Sequence, residues 1–411
     1  MPHLASAGAP SGDQSGDPSG GPSGLGLVTG AQSRTGALNP ADLGRINRAR
    51  VIHALQVSGP LSRSELATRL QISRGSVSTI VAPLLDSALL VELPKVTGSN
   101  GKPPRPLWFA DRWRLGAVFV GTGTFTVANV SLDGRLLESS TDTFTDVATF
   151  RRRLLRHGER LFDVEALLGI GVGSAGAVDI PTGTVLENYR YPALNHLPLA
   201  PLLTEKFGVP TFVDHHPRVQ AIGDLWFGIG RELQYFASVY TGDVLGVGLV
   251  AGGRVLAGPR GAGGELGHMV VAEGGSQCVC GQRGCWYTIA SLGWLRRRAA
   301  ELELPGAAEV TCHDLGQVTD GPARRLREEY AANLATGLAN LEQILGYGTY
   351  VLHGDAAGGG EEFADLVAEQ VADRIPRRRA EVSVLAAPEQ DEATILGAAG
   401  MVMFRRYDVQ L

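Results

Sequence analysis

No apolar run in this sequence approaches the roughly 18 residues that a membrane-spanning helix needs. A basic segment followed by an apolar core is also missing from the first residues, so neither insertion nor secretion is expected and the chain reads as cytoplasmic. Cysteine is scarce, with four in 411 residues and three of those inside eight positions. That argues against a disulfide scaffold and fits a reducing compartment. The net charge is only −5, and it is unevenly spread. Glycine, in contrast, is abundant at 55 residues, alongside 44% hydrophobic and 19% charged residues. These values describe a globular protein rich in tight turns, and the length calls for two or three domains.

Residues 1–40 are Gly, Ser, Pro, Ala and Asp with almost nothing to bury, and are expected to be a disordered tail without assigned function. Residues 41–94 change texture. A helix carrying Ile46, Val51, Ile52 and Leu55 on one face runs into the Ser58-Gly59-Pro60 breaker. Ser62-Arg63-Ser64-Glu65 is a capping box that opens a second short helix. Gln71-Ile72 turns the chain and Ser73 caps a third helix. There Val77, Ile80, Val81, Leu84 and Leu85 form one apolar stripe. Its other face carries Arg74, Ser76, Ser78 and Thr79, the small polar and basic surface with which a helix-turn-helix reads a major groove. Leu89 to Leu93 reads as a wing strand, and residues 95–114 as wing and linker.

Charge supports a nucleic-acid partner. Between Ala41 and Pro106 nine Lys/Arg face four Asp/Glu, a net +5 that leaves about −10 on the rest of the chain. Arg74, Ser76, Ser78 and Thr79 are the candidates for base edges, and Arg63 for phosphates. Lys102 and Arg105, flanked by prolines, are candidates for phosphates or a minor groove. The competing reading is a helical protein-interaction module with a solvated basic face.

Residues 115–411 read as α/β. Strand pairs are expected over Gly116–Val130 and Phe236–Val250, helices over Phe150–Leu168, from Pro217, Leu292–Leu302, Ala323–Leu345 and Glu362–Arg377, and a strand at Thr349–Leu352. The recurrence of strand pair, glycine turn and helices implies two similar lobes facing a cleft, a sugar-kinase-like and actin-like architecture of the ribonuclease H kind. Between them, His268 stands ten residues before Cys278, followed by Cys280 and Cys285 in a glycine-rich loop. Three thiolates and an imidazole close a tetrahedron around a structural zinc with no open position. The plain alternative is three small buried cysteines beside a satisfied histidine.

Gly263-Gly264-Glu265-Leu266-Gly267-His268 followed by Cys278-x-Cys280-Gly-x-x-Gly-Cys285 resembles the signature of the ROK family of bacterial sugar-responsive repressors and sugar kinases. The resemblance runs from about Ala41 to the C-terminus, and the winged helix resembles the module that distinguishes the family's repressors. It implies that His268, Cys278, Cys280 and Cys285 ligate zinc, and that a sugar-derived effector would meet Glu265, His268, His215, His216 and Tyr287. The departures bear on activity. The family's kinases share an Asp-x-Gly-Gly-Thr phosphate turn, a second Gly-Thr-Gly turn and an Asn-Asp pair with the catalytic base. Here the matching runs are Phe119-Val120-Gly121-Thr122-Gly123, Gly242-Asp243-Val244 and His215-His216. Tyr287 replaces a further glutamate.

The resulting expectation is a non-enzymatic DNA-binding regulator, a repressor, acting as a homodimer or dimer of dimers on a double-stranded operator. The alternatives are an ATP-dependent sugar kinase with an added N-terminal module and a protein-interaction scaffold. For the pocket two readings stand: an acidic or phosphorylated sugar drawn by His215, His216 and Arg218, or a vestigial site.

Overall fold

The computed structural model describes residues 40–94, 105–261, 263–317, 320–375, 382–388 and 392–407. The expected tail before residue 40, and the wing tip with Lys102, lie outside the described residues.

The chain opens with α1 (Pro40–Ser58), α2 (Arg63–Leu70), α3 (Arg74–Asp86), β1 (Leu90–Glu92) and β2 (Leu107–Phe109). The capping box forms as the spacing requires: the Glu65 amide donates to Ser62 Oγ at 3.3 Å, and the Ser62 amide donates to Glu65 Oε2 at 2.7 Å. Gln71 ends α2 in the left-handed conformation at φ 55°, and the Ser73 hydroxyl accepts from the Ser76 amide to start α3. β1 pairs antiparallel with β2, and Leu61 bridges to Leu107 from the other side. Helix-turn-helix and wing therefore form one unit, with β2 inside the stretch read as wing and linker.

The first lobe holds β3 (Arg114–Val120), β4 (Thr124–Ser131), β5 (Leu136–Thr143), α4 (Val147–Leu161), β6 (Leu167–Ser174), β7 (Ala177–Asp179), β8 (Thr184–Glu187), α5 (Leu199–Phe207), β9 (Thr211–His215) and α6 (His216–Trp226). The second holds β10 (Tyr235–Thr241), β11 (Leu245–Ala251), β12 (Arg254–Val255), α7 (Tyr287–Ala290), α8 (Leu292–Glu301), α9 (Cys312–Gly316), α10 (Gly321–Leu345), β13 (Thr349–Gly354), α11 (Gly360–Ala372) and β14 (Ser383–Ala386). α12 (Ala393–Tyr407) returns to the first lobe, packing on α6, β3 and β6.

Each lobe carries a five-stranded sheet, ordered β5-β4-β3-β6-β9 and β12-β11-β10-β13-β14. In both, three antiparallel strands continue into two parallel ones. This is the duplicated architecture expected from the repeated strand pairs.

Three expected boundaries shift by three residues or more, and others by one or two. The helix placed at Phe150–Leu168 starts at Val147, capped by Asp146, and stops at Leu161 because Phe162 turns extended. Leu167 then enters β6 opposite Arg114. α11 ends at Ala372 short of Arg377, with Asp373 as its cap.

α6 occupies the centre. All eleven of its residues are buried, including Arg218, Gln220 and Asp224. Burying those polar groups is tolerable only because they are bonded. Asp224 accepts from Ser238 at 2.5 Å and lies 2.9 Å from His353 Nε2, while Gln220 donates to Ser238 at 3.0 Å. α6 and α12 approach backbone to backbone: a methyl group on Gly223 would collide with the Ala393 carbonyl, and one on Gly397 with that of Val219. One apolar core joins winged-module residues such as Ile52, Leu55 and Leu107 to α6, α12 and one face of the first sheet.

Candidate functional site

On α3, Arg74, Ser76, Ser78 and Thr79 are all exposed, while Val77, Val81 and Leu84 are buried beneath them. Ser78 and Thr79 hydroxyls donate to the carbonyls of Arg74 and Gly75 at 3.0 and 3.1 Å, and Ser76 Oγ lies 2.8 Å from Ser73 Oγ. These local bonds hold the hydroxyls at the helix surface until a better acceptor or donor arrives. Arg63 and Arg105 converge on Glu92, at 2.5 and 3.3 Å. The Arg63 contact, then that of Arg105, holds the Glu92 carboxyl below the usual carboxylate range despite some opposing burial. Sequence reading treated the two arginines separately and gave no role to Glu92, which seats both at the base of the wing.

The four expected metal ligands come together. The donor atoms of His268, Cys278, Cys280 and Cys285 all lie within 4.8 Å of one another. Cys278 Sγ is 3.4 Å from His268 Nδ1, and Cys280 Sγ is 3.7 Å from Cys285 Sγ. A tetrahedral centre with metal–sulfur bonds of about 2.3 Å and metal–nitrogen bonds of about 2.0 Å has edges of about 3.5–3.8 Å, so these residues fit. Burial and then the adjacent thiols of Cys278 and Cys280 push the Cys285 thiol up to about 12, and burial raises Cys278 as well. Thiols crowded in this way favour a cation that stabilises their thiolate form. Since Nδ1 faces the sulfurs, Nε2 is the imidazole nitrogen left for the pocket.

That pocket, a cleft of about 530 Å³ including its mouth, is bordered by Glu265, His268, His215, His216 and Tyr287, all expected from the sequence. It also involves residues that were missed: Asn188 and Tyr189, just after β8, line it as well. Asn188 is fixed because its carbonyl oxygen accepts from the Arg190 and Tyr191 amides and its amide donates to Ala175. Tyr189 meets the His268 ring edge-on at 5.3 Å, and the Tyr287 hydroxyl donates to the Asp243 carbonyl at 3.2 Å. His215 Nδ1 stands 3.5 Å from Glu265 Oε1. Burial, then His216 and Arg218, drives His215 well below its ordinary value, whereas burial raises Glu265 against the opposing pull of Arg218. Both shifts favour uncharged forms.

Arg218 departs from expectation. It donates through Nε to Asp214 Oδ1 at 2.7 Å, its Nη2 lies 2.6 Å from the same oxygen, and Nη1 donates to the Gly263 carbonyl. Its charge is matched by Asp214, so it adds no free cation for an acidic sugar.

His216 is wedged between aromatic rings, 4.8 Å from Tyr240 and 5.6 Å from Phe119 by ring centroids. Thr122 of the first glycine turn donates to Asp243 of the second at 3.3 Å, which ties the two turns to each other. Among the described residues, no helix is long and apolar enough to cross a membrane.

The ROK family's sequence pattern matches residues 143–404. A glucokinase from Thermotoga maritima is 30% identical over 310 residues, covering 71% of this chain and 98% of the relative. A putative xylose repressor from a Caldicellulosiruptor species is 24% identical over 400 residues, covering 89% and 97%. Among solved structures, a ROK family transcriptional regulator described as a homologue of the E. coli Mlc protein aligns with a TM-score of 0.76 at 24% identity, over 89% of this chain and 97% of that one. The signature loop, the two matching lobes and these relatives converge on one assignment: the chain belongs to the ROK family.

Proposed function

We propose that this chain is a DNA-binding transcriptional repressor without kinase activity. The observation that carries the reading is α3, which presents Arg74, Ser76, Ser78 and Thr79 to solvent on a winged helix-turn-helix. The xylose-repressor relative covers 89% of the chain against 71% for the glucokinase, a surplus close to the size of that module. Against phosphoryl transfer stand the residues in the cleft. Rings of Phe119 and Tyr240 flank His216 where the resemblance places the base, and Asp243 brings a carboxylate to a turn that would have to approach phosphates.

Zinc is the metal that three thiolates and one imidazole favour. With no open ligand position it would be structural, and His268, Cys278, Cys280 and Cys285 would hold the loop that carries Glu265 against the pocket. An effector at this pocket would be a sugar-derived molecule; Arg218, matched by Asp214, does not argue for an acidic one, whereas the exposed Arg190 at the pocket's border does. A cytoplasmic homodimer, or dimer of dimers, would read a pseudo-palindromic operator with half-sites spaced by whole helical turns.

Selection from random DNA duplexes tests the reading, with an inverted repeat expected to be enriched. Arg74→Ala should relax discrimination at one position of each half-site by about 1–3 kcal/mol if the guanidinium reads a guanine. An unchanged base preference rejects that assignment, and no enriched duplex rejects the function. The 30% identity to a glucokinase keeps sugar phosphorylation as the second reading, and sugar-dependent ADP formation in a coupled assay would support it.

A further inference from the structure

The His268–Cys285 cluster is open to solvent on one side only. Cys278 and Cys285 are buried, whereas Cys280 is partly exposed. The cause is a tight knuckle. The Gly281 amide donates to the Cys278 carbonyl, the Cys278 amide donates to the Gln282 carbonyl, and Gly281 adopts a φ of 89°. Val279, Gly281, Gln282 and Arg283 all face solvent around it. A small oxidant therefore reaches Cys280 before either of the other two sulfurs.

The sulfurs also divide by distance. Cys278 Sγ lies on the imidazole side, 3.4 Å from His268 Nδ1, and Cys280 Sγ lies 3.7 Å from Cys285 Sγ. A disulfide holds its sulfurs about 2.05 Å apart, so joining Cys280 to Cys285 takes about 1.7 Å of approach. Cys285 is the fixed partner. It bridges to Val270, its carbonyl accepts from the Thr288 amide and hydroxyl, and the indole of the buried Trp286 donates to the Asn333 carbonyl. Cys280 sits beside the open tip, where even a methyl group on Gly281 would meet nothing within 4 Å. The knuckle has room to move onto Cys285. The remaining cysteine, Cys312, is fully buried in the core of the second lobe and serves as an internal control.

We propose that Cys280 is a peroxide-reactive site whose oxidation joins it to Cys285 and opens the metal clip. The proposal rests on the metal reading above, because a bound cation keeps both sulfurs as the thiolates that react. The Cys280 thiolate attacks one oxygen of hydrogen peroxide. The O–O bond breaks, a sulfenic acid forms, and the departing hydroxide takes a proton and leaves as water. The Cys285 thiolate then attacks the Cys280 sulfur. The S–O bond breaks, and a second hydroxide leaves as water after taking a proton. Two thiolates, one peroxide and two protons thus give one disulfide and two waters. Only His268 and Cys278 remain as ligands, too few for a closed structural site, so the ion is released. Glu265 and His268 border the pocket from the same loop, so its wall loosens as the clip opens.

The test begins with the zinc content of the untreated full chain, read by elemental mass spectrometry. A chain without zinc defeats the metal reading, whereas a zinc-loaded chain indifferent to peroxide defeats this proposal alone. Hydrogen peroxide in molar excess should release the zinc to a colorimetric chelator. Peptide mass spectrometry after alkylation should then find Cys280 joined to Cys285, with Cys278 and Cys312 still free. Reductant with added zinc should restore the starting state.

Two variants keep four ligands. Cys280→His removes the reactive thiol and should slow zinc release at least about tenfold. Cys278→His keeps the reactive pair and should release zinc as fast as the wild type. If either variant binds no zinc, the wild-type disulfide map still decides. Amide exchange over residues 265–269 should rise on oxidation. A different disulfide, oxidation that starts at Cys312, equal release from the two zinc-loaded variants, or unchanged exchange over residues 265–269 would overturn the proposal.

Discussion

The imidazole of His53 meets the Trp226 indole edge-on, with ring centroids 5.9 Å apart and planes at 80°. His53 lies on α1 of the winged module, and Trp226 closes α6, whose first residues border the pocket. Burial, then Arg69, lowers His53 to about 4, so the ring is neutral near pH 7. Trp226 is 1% exposed, and Trp226→Ala should destabilise the protein by about 3–5 kcal/mol through the cavity it leaves. His53→Leu keeps the bulk and should lose only the edge-on aromatic contribution, about 0.5–1.5 kcal/mol. Urea unfolding measures both, and hydrogen exchange should rise along α1 in the alanine variant. Equal losses for the two substitutions would count against the cavity argument.

Metal removal should act on the signature loop first. The protein as purified is expected to carry one zinc per chain, measured by elemental mass spectrometry. Arg283 is exposed between Cys280 and Cys285, and the tetrahedral clip would keep its backbone from entering a protease. Trypsin should therefore cleave after Arg283 in chelator-treated protein and spare it in the metal-loaded form. Cys280→Ser should reproduce the chelated pattern.

Asp355 supplies a pH dependence. Burial raises its carboxyl to about 6, against an ordinary value of 3.8, despite the Cys312 amide that donates to it. A folded-state value above the unfolded one means that the stability conferred by the protonated group is full below about pH 4. It is lost as the pH rises to 6 and remains lost above that, on the order of 3 kcal/mol at the standard 1.36 kcal/mol per unit. His53 runs the other way, its contribution full above pH 6.5 and lost as the pH falls toward 4. The two slopes oppose each other in the wild type, so the difference between wild type and Asp355→Asn isolates the carboxyl. Asparagine should stabilise the fold at pH 7 and change little at pH 4.

Placing an aspartate at position 216, where the family resemblance puts the kinases' base, should not produce an enzyme. In a His216→Asp chain, Phe119 and Tyr240 still border the cleft, and Thr122 still bonds Asp243 across the two glycine turns. Sugar-dependent ADP formation is expected to stay at background. Turnover in this variant would mean that a single side chain had been the obstacle.

The Ser62–Glu65 capping box, the turn at Gln71 and the His268–Cys285 cluster were legible in the sequence, because their partners lie within a few residues or one glycine-rich loop. Arg218 was misread because its partner Asp214 lies at the end of a strand rather than on its helix, and the pairing forms where β9 turns into α6. α12 was not read as a helix from the sequence, since its Gly397, Ala398, Ala399 and Gly400 pack by closeness rather than by an apolar stripe.

The sequence alone determined the winged module, the duplicated lobes and the candidate metal cluster, each encoded by local spacing and periodicity. Tertiary structure decided the contacts between residues far apart in the chain. Arg63 and Arg105 share Glu92 because β1 and β2 pair beside α2. His216 is packed by Tyr240 because α6 lies against the second sheet. Asn188 and Tyr189 reach Glu265 and His268 because β8 ends at the cleft. Such contacts follow from sheet register and helix packing, which no short window of residues encodes.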